Sequence, residues 1–211
     1  MSELDIYKVI SAILALMIAI IGHEIMHGYV AYKYGDTTAK NQGRLSINPI
    51  KHIDLVGTII LPGLLFITGA PFMFGWAKPV PINTSIVLSR GGNFGMFNVA
   101  MAGIAFNVLM ATTASLLIGN VGSQFLNLLL FNLVIYNVVL ALFNLLPIPP
   151  LDGSQVISYL GLMLGSAKIA LWFDKIGRYG IVILVLFLMS PLSAMFFNIV
   201  REVILWLVVV K

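Results

Sequence analysis

From residue 91 to residue 151 not one side chain carries a charge, a run of 61 residues. A soluble domain carries roughly 25% charged residues, and no water-exposed surface can be built across such a run. A helix crosses the bilayer with about 20 mainly apolar residues. The run therefore holds two spans, with Gly119-Asn120-Val121-Gly122-Ser123 as the turn between them. The whole chain agrees: 60% of its residues are apolar, 9% are charged, and the mean hydropathy is +1.02. This excludes a soluble globular enzyme, a disordered chain and a nucleic-acid binder. The net charge of +4 mostly records loop charges that orient spans in the membrane. There is no cysteine, so any metal must be held by His, Asp or Glu.

Between Lys8 and His23 lie 14 uncharged residues, and the helical pattern continues to about Ala31. Glu3 and Asp5 outweigh Lys8, whereas a cleaved signal peptide needs a positive start. The segment is expected to be a retained span with its N-terminus outside. Residues 33–54 form a polar loop. Residues 55–77 are a 23-residue charge-free stretch, interrupted by Pro62-Gly63 and Pro71. Residues 78–90 form a second polar loop. The second span of the uncharged run ends at Leu146, because Pro147, Pro149 and Pro150 cannot continue a helix. Lys168, Asp174, Lys175 and Arg178 mark a third polar loop. A last span starts over residues 181–189 and breaks at Pro191. Residues 192–210, with Arg201 and Glu202, either finish that span or lie along the interface. Residues 43–49 alternate polar and apolar, and residues 75–83 are held extended by their prolines. These two segments are expected to form a small β-hairpin or extended loop near the membrane surface. The expectation is an all-α polytopic membrane protein. It forms one domain over residues 1–211, with about five to six membrane segments.

The chemistry concentrates at His23-Glu24-Ile25-Met26-His27. On a helix, residues four apart share a face, so both imidazoles can reach one zinc ion at about 2.0–2.1 Å. Glu24 beside them is placed to take a proton from water activated there. An ionisable group at membrane depth costs a few kcal/mol by insertion scales and is a functional candidate by default. Two histidines do not complete a catalytic zinc site, which has three protein ligands and an open position. The third comes from His52, Asp36, Asp54 or Asp152. Asp152 stands out as the only charge between Arg90 and Lys168. It follows a proline-broken segment of the kind tolerated at membrane depth where it is buried or lines a cavity. As the residue before Gly153-Ser154-Gln155 it is equally suited to cap a helix.

The motifs His23-Glu24-Ile25-Met26-His27 and Asn144-Leu145-Leu146-Pro147-Ile148-Pro149-Pro150-Leu151-Asp152-Gly153, in that order, resemble the two signatures of the site-2 protease family of intramembrane zinc metalloproteases. Ala102-Gly103-Ile104-Ala105-Phe106-Asn107 matches a third element less well, with Ile104 where the family usually has proline. Phe74-Gly75-Trp76-Ala77-Lys78-Pro79-Val80-Pro81 is similar to the compact bacterial members. The resemblance covers roughly residues 15–160 and leaves no room for the PDZ or CBS domains of larger members. It implies one zinc per chain, held by His23, His27 and Asp152, with Glu24 activating the water. It implies that Asn144 holds the substrate backbone or polarises the scissile carbonyl, helped by Asn107. Asn98, Asn127, Asn132 and Asn137 match no motif and are assigned to packing.

The expected activity is zinc-dependent hydrolysis of peptide bonds in or next to transmembrane segments of other proteins, within the bilayer of a bacterial cell membrane. Two rivals belong to other classes: a metal-transporting permease, and an inactive scaffold that binds membrane helices. Transport needs no general base, so Glu24 separates the first rival from a hydrolase. The loop after the first span carries Lys33, Lys40, Arg44 and Lys51 against Asp36 and Asp54, which places it in the cytoplasm. If Asp152 meets the same metal, both ends of residues 55–76 lie on that side. This stretch is then a re-entrant or surface-lying helical hairpin, bent near Pro62-Gly63 or at residues 69–71.

Overall fold

The computed structural model describes residues 2–69 and 75–209. Three long helices form its centre: α1 (Glu3–Lys33), α4 (Thr84–Leu117) and α5 (Gln124–Asn144). Each starts on a side-chain cap, from Ser2, Asn83 and Ser123, which satisfies an amide that the first turn leaves unpaired. The three pack closely because their contact faces are small. Ala15, Ala111 and Ala114 are buried together with Leu133, Val134 and Val138, and Gly22 takes the ring of Phe106 where any side chain would collide with it. In lipid, helices associate through close contact of such small residues. Outward faces stay apolar, as at Leu109 and Leu116.

Between α1 and α4 the chain forms α2 (Thr38–Asn41), a short 3-10 turn (Pro49–His52), and a π-helical segment (Leu55–Ile60) that runs into α3 (Leu61–Ile67). Pro62 sits at the junction of the two helical pieces; it offers no N–H to the turn before it, and Gly57 O there accepts from Trp76. At 1.5 Å per residue, Leu55–Ile67 is about 20 Å long, short of the roughly 30 Å apolar core. The chain then comes back. The Trp76 amide donates to Gly57 O at 3.1 Å, the Thr58 hydroxyl to Trp76 O at 2.9 Å, and the Lys78 amide to His52 O at 2.9 Å. The two ends of residues 55–76 thus lie side by side, as a single crossing cannot arrange. The proposed bend at Pro71, and Phe74 of the compact-family stretch, lie outside the described residues.

Among the described residues there is no strand. Residues 75–83 are the extended loop, not half of a hairpin. Pro79 and Pro81 remove two ladder donors, and the amide between them, that of Val80, goes to a side chain. The second polar loop is also shorter than expected. Residues 84–90 are already helical, and α4 kinks at Gly92, whose φ of 58° and ψ of −155° suit glycine alone.

After α5 come α6 (Asp152–Met163), α7 (Ala167–Gly177), α8 (Gly180–Met189) and α9 (Pro191–Val209). The third polar loop is the amphipathic helix α7, with Lys168, Asp174 and Lys175 on it. Four described helices are long and apolar enough to cross a membrane: α1, α4, α5 and α9. Leu55–Ile67 and α8 are apolar too, but shorter than a crossing needs. The break expected at Pro191 is present: α8 ends at Met189, Ser190 is extended, and Pro191 opens α9.

Candidate metal centre

α1 carries His23 and His27 on the face it buries against α4. Their Nε2 atoms stand 3.0 Å apart. Asp152, the first residue of α6, brings its Oδ2 to 3.1 Å from His23 Nε2 and 3.3 Å from His27 Nε2. Leu151, not Asp152, occupies the cap position of that helix. The aspartate is thus turned to the histidines, and the negative charge at a helix N-terminus is also favoured by the dipole.

The hydrogen-bond partners set the polarity of the site. Val99 O can only accept, so His27 donates Nδ1–H to it at 2.7 Å and turns its Nε2 lone pair inward. His23 Nδ1 lies 2.6 Å from Asn107 Oδ1, and donation there likewise frees Nε2. Asp152 Oδ2 is buried and has no hydrogen-bond partner. Three electron-pair donors therefore face one point, an arrangement that a bound cation satisfies. Ligands about 2.0–2.1 Å from a tetrahedral ion lie about 3.3 Å from one another. Two imidazoles and a carboxylate at this spacing fit zinc.

The glycine in the middle motif has a specific task. A Cβ on Gly103 would lie 2.5 Å from His27 Nε2 and 2.6 Å from His23 Nε2. What comes close to this glycine is the pair of histidines. Glu24 is half-buried beside them, and its Oε2 accepts the Val80 amide at 2.9 Å. The extended loop therefore lies over α1 at this level, pressed onto Gly28, where a Cβ would meet Val80 and Leu45.

The other candidates have local employment. Asp36 is fully buried and accepts the amides of Thr38 and Asn83. Asp54 caps the π-helical segment through Val56 and Gly57. His52 is buried, not a solvated loop side chain, and its Nε2 bonds Ser46 O at 2.7 Å. Among the described residues His23, His27 and Asp152 are the one cluster of three metal-binding side chains. Asn107 joins them through His23. Asn144, half-buried at the end of α5, donates to Leu140 O of its own helix at 3.0 Å.

Apolar spans that bury two imidazoles and a carboxylate at one point, with a glutamate beside them, form a metal centre of the kind a membrane-embedded metalloprotease needs. Comparison with known proteins agrees. The chain is 34% identical over 194 residues to a protein of Bacillus subtilis (strain 168) named "Putative zinc metalloprotease YwhC", covering 86% of this chain and 81% of that one. It is 30% identical over 144 residues to "Putative zinc metalloprotease Rip2" of Mycolicibacterium smegmatis (strain ATCC 700084 / mc(2)155), covering 62% of this chain and 49% of the relative, about half its length. No family model and no solved structure matches. The chain belongs to the site-2 protease family of zinc metalloproteases, and zinc is its cofactor.

Proposed function

We propose that this metalloprotease is an intramembrane endopeptidase that cuts other proteins in or next to their transmembrane segments. We further propose that it works from the cytoplasmic side of a bacterial cell membrane. The observation that carries this reading is the convergence of His23, His27 and Asp152 inside a bundle of apolar helices. A metal centre set among apolar spans suits a substrate that is itself held in the bilayer.

Bound zinc supplies Lewis-acid polarisation and an acidified water. The chain does the rest. His23, His27 and Asp152 hold the ion. Glu24, with one oxygen fixed by the Val80 amide, takes the proton from the attacking water and returns it to the leaving amine. Asn107 keeps His23 turned to the metal. Asn144 holds the substrate backbone as it unwinds. A helical substrate hides its scissile carbonyl in its own hydrogen bonds, so it must bind extended, against a protein edge that satisfies the freed groups. The loop segments 45–47 and 80–82 are candidates for that edge; in them the Val80 amide goes to Glu24, Pro81 has no N–H, and Ser46 O takes His52.

The test combines metal content with cleavage. The purified protein should hold about one zinc and cut a model transmembrane substrate, and a chelator should abolish cleavage. Glu24→Gln should keep the zinc and lose at least about 10²–10⁴-fold in rate, the usual contribution of general-base catalysis. Near-normal turnover by that variant refutes the mechanism.

A further inference from the structure

Asn137 was assigned to packing; it does bond across from α5 to α4, and that bond leads further. It is fully buried in α5 and belongs to a chain of hydrogen bonds that ends on a metal-binding histidine. Its Nδ2 donates to Leu133 O at 2.8 Å. Its Oδ1 accepts from Asn107 Nδ2 at 2.8 Å. Asn107 Nδ2 also donates to Ala19 O at 3.1 Å, and Asn107 Oδ1 faces His23 Nδ1 at 2.6 Å.

The polarity of this chain is fixed at both anchors. Backbone carbonyls only accept. Leu133 O therefore takes the NH2 side of Asn137 and leaves its oxygen towards Asn107. Ala19 O and that oxygen together use both protons of Asn107 Nδ2. The Asn107 oxygen is then forced onto His23, and the proton of His23 sits on Nδ1. Reversing either amide would set donor against donor and acceptor against acceptor in a buried site, at a cost of about 1–3 kcal/mol per unsatisfied group.

We propose that Asn137 is a positioning residue for the zinc site: through Asn107 it sets the tautomer and orientation of His23, so that Nε2 presents its lone pair to the metal. This rests on His23 being a zinc ligand. His27 is oriented independently by Val99 O and serves as an internal control. Outer partners of ligating histidines commonly contribute 10–100-fold in metal affinity.

The chain has three histidines, so 15N-histidine spectra of the metal-free full-length protein in detergent resolve each ring. The wild type should show His23 and His27 protonated on Nδ1. Asn137→Leu should shift His23 towards the other tautomer or a mixture, leave His27 unchanged, and weaken zinc about 10–100-fold in competition with a chelator. Asn137→Ser, whose hydroxyl can bond back to Leu133 O but is too short to hold Asn107, should act in the same direction and keeps the test open if the Leu variant does not fold. Asn132→Leu removes another α5 amide bond, to Ser11, and should change neither readout. An unaltered His23 tautomer with unaltered zinc affinity in the Asn137 variants overturns the proposal, as does an equal loss in Asn132→Leu. Zinc that persists undiminished in His23→Ala would instead overturn the ligand reading on which it rests.

Discussion

Gly103 is the residue at which helix packing and metal binding meet. Its missing side chain is the space that His23 and His27 occupy. An alanine there would suit helix α4 better than glycine by about 1 kcal/mol, so any loss must come from the site. Gly103→Ala should keep the helical spectrum and lose most of its zinc. Full zinc occupancy by that variant would show that α1 and α4 can separate without harm. Asp36 makes a different residue-scale case. Burial alone would raise its pKa, but the Thr38 and Asn83 hydrogen bonds win and hold the carboxyl below its ordinary value. Folding then draws stability from the ionised form. That stability is present above about pH 3.9, the unfolded value, and is lost as pH falls through the lower folded pKa. Asp36→Asn should cost about 1–3 kcal/mol at pH 7. Thermal unfolding in detergent should show the gap between variant and wild type closing below about pH 4. A gap that stays constant down to pH 3 refutes this account.

At the scale of elements, the decisive piece is the stretch that leaves α1 and returns to α4. Arg44, buried in the loop, donates to Lys78 O at 2.6 Å. Glu24 takes the Val80 amide and Asp36 the Asn83 amide. Each is a side chain from α1 or the segment after it, fastening the backbone of the extended loop. Two prolines leave that loop few amides of its own, so these tethers replace a β-ladder. The same fastening brings Trp76 back to Gly57 and returns the apolar segment to its starting side.

For the whole molecule this return has a consequence for topology. If residues 55–76 come back to the side they left, the loop after α1 and the start of α4 face the same compartment. The positive-inside rule, applied to these loop residues, predicts that this compartment is the cytoplasm. The chain has no cysteine, so single cysteines report cleanly. Gln42→Cys and Ser85→Cys, both at exposed positions, should resist an impermeant reagent in intact cells and react after permeabilisation. Labelling of Ser85→Cys alone from outside would show a single crossing, and the arrangement argued here would fail.

Much of this was legible in the residues themselves. An uncharged run of 61 residues admits only membrane helices, since only a helix or a closed barrel satisfies its own backbone in lipid. His23 and His27 lie four apart, so their shared face follows from helix geometry alone, and Glu24 comes with them. Local pattern could not decide the third ligand. His52, Asp36, Asp54 and Asp152 all had suitable chemistry, and choosing among them required knowing which of them local hydrogen bonds already employ. The number of spans was not legible because a charge-free stretch does not reveal helix length: Leu55–Ile67 and α8 are apolar but shorter than a crossing. α7 was hidden because a charged stretch reads as loop until one face finds a neighbour. The sequence by itself determined the solvent, the secondary structure of the long segments and two of the three metal-binding side chains, because those follow from composition and from contacts within one helical turn. Only the tertiary structure brings Asp152 beside the two histidines, returns Trp76 to Gly57 and joins Asn137 to Asn107, because each depends on contacts between residues far apart in the chain.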